Sequence, residues 1–183
     1  MKKFFLLLVA ICISCNNLND NKLQEESYSL INYVIKTELN DQDKGYISEE
    51  LLDSNPSQSL KLFIQENLNE KDSTFINSQI LNRVTFRLDQ DKVSIKKVLL
   101  RSDLDNLIKP GERSISFWSR FESKYNEKDF STISQPIFNK SLDLAIISFG
   151  HHCGSLCGGG STAIYEKKNG KWKKVKTIST WVS

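Results

Sequence analysis

The residues most capable of chemistry stand together in one short stretch, Gly150-His151-His152-Cys153-Gly154-Ser155-Leu156-Cys157-Gly158-Gly159-Gly160-Ser161. It holds both histidines of the chain, two of its four cysteines and five of its eight glycines. His151, His152, Cys153, Cys157, Gly158 and Gly160 are therefore the candidate functional loop. A disulfide between Cys153 and Cys157 is the favoured reading. Three intervening residues can bring two Cα atoms to the roughly 5.5 Å a bridge needs, and the glycines permit the turn. So small a loop gains little entropically, so the bridge would fix local shape more than global stability. A zinc site has suitable ligand types, but adjacent histidines on a strand point to opposite faces, and no distant ligand pair completes the set. A reactive thiol, either a Cys–His nucleophile or an exchanging dithiol, is a third option. Redox dithiols of the thioredoxin kind use two intervening residues at a helix N-terminus, and here there are three between strands. A bare glycine loop with unpaired thiols is the remaining one.

Two nucleotide-binding patterns in the same stretch fail on context. Gly158-Gly159-Gly160-Ser161-Thr162-Ala163 matches the dinucleotide fingerprint formally, yet a strand and hairpin follow where a helix must open. Gly154 and Gly159 have P-loop spacing, but Gly160 stands where lysine is required. No catalytic residue, metal ligand or cofactor is assigned.

The redox argument depends on the compartment, and the N-terminus supplies it. Met1-Lys2-Lys3 precedes an apolar run from Phe4 to Ser14, too short for a permanent span and typical of a secretory signal. Ile11-Cys12-Ile13-Ser14-Cys15 resembles a bacterial lipobox, in which the final cysteine is acylated and becomes the new N-terminus. This predicts a signal peptide over 1–14, lipid attachment at Cys15 and a polar tether over 15–22. Cys12, in place of the usual leucine, would be discarded with the leader. The expected location is the bacterial cell envelope, lipid-anchored. The absence of an acidic run after Cys15 favours a periplasm-facing orientation over the cell surface. In such an oxidising compartment, neighbouring cysteines pair.

The elements that must position the cluster follow from periodicity. Leu23–Leu39, a segment from about Ser57 to Leu68, and Ser114–Tyr125 carry apolar residues at helical spacing. The stripe Phe117, Phe121, Tyr125 in the last suits core packing. Phe75–Leu88 is ambiguous between helix and strand. Val93–Leu100 suits a strand, and Asp103–Ile108 a helical turn or two. Phe130–Phe138, Leu142–Phe149, Thr162–Lys167 and Trp172–Trp181 read as strands, the last two joined by the hairpin signal Asn169-Gly170. Helices first and a meander last predict an α+β fold over residues 23–183, one domain. N-terminal helices would pack on one face of a C-terminal antiparallel sheet, with Trp172 and Trp181 packing across the hairpin.

The 183 residues carry 25 Lys and Arg against 22 acids, and discarding Lys2 and Lys3 brings the net charge to about +1. No basic stripe with interleaved aromatics marks a nucleic-acid surface. Lys167, Lys168, Lys171, Lys173, Lys174 and Lys176 form a local basic patch on the last hairpin.

One resemblance rests on the motifs Trp118-x-x-Phe121, Ser134-x-Pro136-x-Phe138, Cys153-Gly154-x-Leu156-Cys157-Gly158-x-Gly160, Gly170-x-Trp172 and the terminal Trp181-Val182-Ser183. Over about residues 75–183 they resemble a Bacteroidota lipoprotein family that pairs a CGxLCGxG loop with a W(I/V)S ending. The resemblance implies a shared fold and envelope location and brings no established activity. The function expected is a non-enzymatic binding domain. Its partners would be the membrane, through the lipid, and an envelope protein, peptide or glycan. The alternatives are an enzyme or metal-binding protein that uses residues 150–161, and an immunity or inhibitor protein.

Overall fold

The structure is a computed structural model that describes residues 21–39, 45–50, 58–83, 85–111, 114–154 and 156–183. The signal segment, Cys15 and the Pro56 turn lie outside these residues. The first described element, α1, is helical over 21–38. Asn21 and Lys22, expected in the tether, thus already belong to the helix.

The remaining elements are β1 (Tyr46–Ser48), α2 (Gln58–Asn67), α3 (Ser73–Arg83), β2 (Lys97–Leu99), α4 (Arg101–Asp105), α5 (Ser114–Tyr125), β3 (Phe130–Ile133), β4 (Ile137–Phe138), β5 (Leu144–Gly154), β6 (Cys157–Lys168) and β7 (Lys171–Val182). They form an α+β fold around one seven-stranded sheet of order β2-β1-β3-β5-β6-β7, with β4 also on β5. The ambiguous Phe75–Leu88 segment resolves mainly as helix α3. The expected strand Val93–Leu100 shrinks to three residues. Val93 caps a 3₁₀ turn over Gln90–Lys92, and Ile95 adopts a positive φ of 78°, which no regular strand accommodates.

Two expectations about the sheet need correction. It is mixed rather than an antiparallel meander, because β1 pairs in parallel with both β2 and β3. Parallel neighbours need a long crossover, and α2 and α3 supply it between β1 and β2. At three residues, β1 is too short to leave a periodic trace in sequence. Helices also cover both faces, not one. On one face, α1 buries Leu30, Ile31, Val34 and Ile35 against Ile47, Ile133, Ala145, Ile147, Ala163 and Tyr165. On the other, α2 and α3 bury Ile64, Leu68, Ile76 and Ile80 against Ile137, Ile146 and Ile164. Also on this second face, α4 and α5 pack Leu104 and Phe121 onto Leu99 and Phe130. The strand interiors alternate apolar residues on both sides, which is the pattern a doubly covered sheet requires.

Strands β3 and β4 are one run along β5, interrupted at Gln135-Pro136. Proline cannot donate to a ladder, and Ser134 patches the gap. Its N–H donates to the Ser148 carbonyl at 2.8 Å, and its Oγ accepts from the Ser148 N–H at 3.0 Å. At Asn169 and Gly170, φ values of 51° and 74° give the tight hairpin expected of Asn-Gly.

Candidate functional site

The 150–161 stretch is not a loop. Residues up to Gly154 complete β5, residues from Cys157 open β6, and Gly150 pairs with Gly160 and His152 with Gly158 along the ladder. The turn is confined to two residues, of which Ser155 lies outside the described set. A bulge inserts Cys153 between His152 and Gly154, and Gly154 has φ +145°. The extra residue and the glycine let the chain turn within reach of itself. Cys153 and Cys157 are joined in a disulfide, their Cα atoms 5.0 Å apart. Both thiols are consumed in that bond.

Strand alternation separates the two histidines. His151 pairs in register with Ser131 on the face that α1 covers lower down, and its Nδ1 lies 4.0 Å from the Asp129 carboxylate. His152 is on the opposite face. Its Nε2 is 3.2 Å from Thr132 Oγ1, and its ring sits between Phe130 (centroids 5.3 Å) and Trp181 (5.5 Å). Burial, with the neighbouring His151 second, holds the His152 pKa below the ordinary histidine value. The ring is thus biased toward its neutral form, which suits its place among aromatic rings. Among the described residues, no three His, Cys, Asp or Glu groups converge where a metal ion could sit.

The glycines and Trp181 form one device, which the sequence reading did not connect. Gly158 and Gly160 are two residues apart and share a face, and Gly150 lies beside Gly160. On this face the Trp181 indole lies back across β6. A Cβ on Gly160 would stand 2.5 Å from Trp181 Nε1 and 2.6 Å from the Phe149 carbonyl oxygen. One on Gly150 would stand 3.0 Å from Trp181 Cζ2. The glycines are a cleared channel that the indole fills, a packing of aromatic on glycine that also stiffens the strand beneath. Its signal was present in the sequence, as period-two glycines facing a tryptophan near the chain end.

Trp118, Phe130, His152 and Trp181 then make a continuous row of rings from α5 to β7. Successive centroids are 5.7, 5.3 and 5.5 Å apart. Phe130 is buried, whereas Trp181 is 43% exposed and Leu156 at the turn 88%.

No known protein family, curated protein or solved structure matches this chain.

Of the two tryptophans expected to pack across the hairpin as core, Trp172 is buried, whereas Trp181 lies across the glycines of β6 yet is 43% exposed. Trp172 pairs with Lys167 and is buried under α1, where its Nε1 donates to Ser29 Oγ at 3.2 Å. Trp181 pairs with Gly160 on the other face. An odd sequence separation puts two strand residues on opposite faces, and the two irregularities between them reverse that parity twice.

Proposed function

We propose that this protein is a lipid-anchored envelope lipoprotein whose domain binds a partner through the β5–β6 tip and the adjoining aromatic row, without catalysing a reaction. The observation that carries the reading is the state of the one chemically capable cluster. Its thiols are tied in a disulfide, its histidines diverge to opposite faces, and what remains exposed is an aromatic and aliphatic surface. Half-exposed aromatics on a rigid support are what recognition surfaces use, because their rings offer large contact area at little cost in side-chain entropy.

The anchor would limit how far this domain stands from the membrane. Glu26, near the start of α1, holds Lys167 at 2.6 Å beside the Asn169 turn. The six residue steps from Cys15 to Asn21 can span at most ~22 Å. The disulfide tip lies some ten residues farther along β6, about 33 Å at strand rise. An acyl chain on Cys15 would tether the start of α1 within the tether's reach of the bilayer, and the tip, at the far end of β6 from Lys167, would be free to meet a partner outside the membrane. No described helix is long and apolar enough to cross a membrane, and the lipid would supply the attachment.

The test places a photo-crosslinking amino acid at Leu156 of the full chain in intact envelopes. A discrete crosslinked partner that is lost with Trp181→Ala is expected; no adduct beyond background contradicts the binding reading. Palmitate labelling of the same cells checks the anchor, with Cys15→Ser expected to abolish it. Label that survives this substitution overturns the attachment site.

A further inference from the structure

The sheet treats its edges differently. At the outer edge of β2, the Gln90 side chain occupies the strand's hydrogen-bonding groups, accepting from Val98 N–H at 2.8 Å and donating to the Lys96 carbonyl at 3.3 Å. At the outer edge of β4, Gln79 does the same to Phe138, with both bonds at 2.9 Å. In each case a glutamine amide imitates a neighbouring strand and closes the edge. The third edge, β7, is the longest and lies at the end of the sheet order, and no described side chain closes it in this way. Ser183 N–H donates inward to the Gly158 carbonyl at 3.1 Å, so strand alternation turns the N–H and C=O of Val182 and Thr180 outward.

Charge distinguishes the two faces of this edge. Lys167 and Lys174 point toward α1 and are neutralised there by Glu26 and Glu38, each at 2.6 Å. Lys171, Lys173 and Lys176 lie on the other face and are exposed, and among the described residues no ion pair involves them. The nearest cross-strand acid, Glu166 opposite Lys173, is engaged by Lys168 at 2.9 Å.

We infer that β7 is an acceptor edge for an extended acidic peptide segment of the partner, which adds as an eighth strand with its acids at every second position over Lys171, Lys173 and Lys176. Unpaired backbone groups select an extended chain, and the lysines select its charge. Lysine on an edge also discourages pairing with a second copy of the same strand, which leaves an acidic strand as the complementary occupant. Trp181 and Val182 would flank the far end of such a strand, continuous with the tip surface. The inference deepens the binding reading and rests on it.

The test pans a random twelve-residue peptide library against the full chain and against two variants. Thr180→Pro removes an outward N–H, a change an edge strand tolerates; unchanged melting and circular dichroism verify its fold. The triple variant K171E/K173E/K176E reverses the charge without touching the backbone. The expected result is enrichment of peptides with acids at alternate positions, at least tenfold weaker binding to Thr180→Pro, and a switch to basic peptides with the triple variant. Peptides without acids, binding indifferent to Thr180→Pro, or no enrichment at all would overturn strand addition. A partner crosslinked through Leu156 whose capture ignores Thr180→Pro would leave the binding reading standing and remove this inference alone.

Discussion

The two ends of the β5–β7 ribbon solve the same packing problem by different means. Near the Asn169 turn, β6 and β7 lie under α1. There Tyr165 and Trp172 are buried, Tyr165 donates to Glu38 at 3.1 Å, and Lys167 sits over the Trp172 ring at 5.5 Å. Near the disulfide, no described helix covers β6. Shape there comes from the strands' own side chains: a bridge across the turn, a channel of glycines and one tryptophan laid into it. A covered end is stabilised by apolar area removed from water. An uncovered end must be held by local constraint, and it leaves its aromatic surface available to a partner. On the binding reading proposed above, the ribbon is a support at one end and a recognition surface at the other.

Substitutions that separate the two ends should differ in size and kind. Leu30→Ala, at a fully buried position of α1, should lower global stability by about 2–5 kcal/mol in denaturant unfolding, and a loss confined to α1 would argue against a shared core. Gly160→Ala should cost about 1–3 kcal/mol, as overpacking does, and should move the tryptophan fluorescence as Trp181 is displaced. In a Trp181→Ala background that cost should fall by about half, the remainder being the Phe149 carbonyl contact; an unchanged cost would mean the indole does not fill the channel.

The smallest effect should be on pH dependence. The His152 pKa is lowered in the folded state, so protonation favours the unfolded chain. Stability should be complete above the unfolded histidine pKa of about 6.5 and should decline as pH falls below it. This decline starts well above the carboxylate range, where Glu70, Asp72 and Asp143, all held low by hydrogen bonds, lose their own contribution. Melting curves between pH 7.5 and 5 should show the slope in the native chain and a flatter profile in His152→Gln. Equal slopes would place the titration elsewhere.

Much of this was legible in the sequence. The periods of Leu23–Leu39 and Ser114–Tyr125 placed α1 and α5, with Phe121 in the core. Asn169-Gly170 announced its turn, and the spacing of Cys153 and Cys157, with the oxidising compartment expected from the N-terminus, suggested their bond. Strand β1 was hidden because three residues cannot display a period, and β2 was read too long, as Val93–Leu100; the parallel pairing of both is set by long crossovers that leave no local signal. The glycine run looked like a loop because glycine is the usual mark of turns. Only its period of two, set against Trp181 across the hairpin, reveals a strand with a groove. The edge closures by Gln79 and Gln90 have no sequence signature at all, since each depends on a tertiary approach.

The claim that the tip is a surface for binding and not a reactive centre is open to one direct measurement. It is a titration of free thiols, with zinc analysis, on the native protein purified without reductant. The account predicts no accessible thiol and no bound zinc, with two thiols appearing per chain after denaturation and reduction. One reactive thiol titrating well below the ordinary cysteine range, or one zinc held per chain, would contradict it.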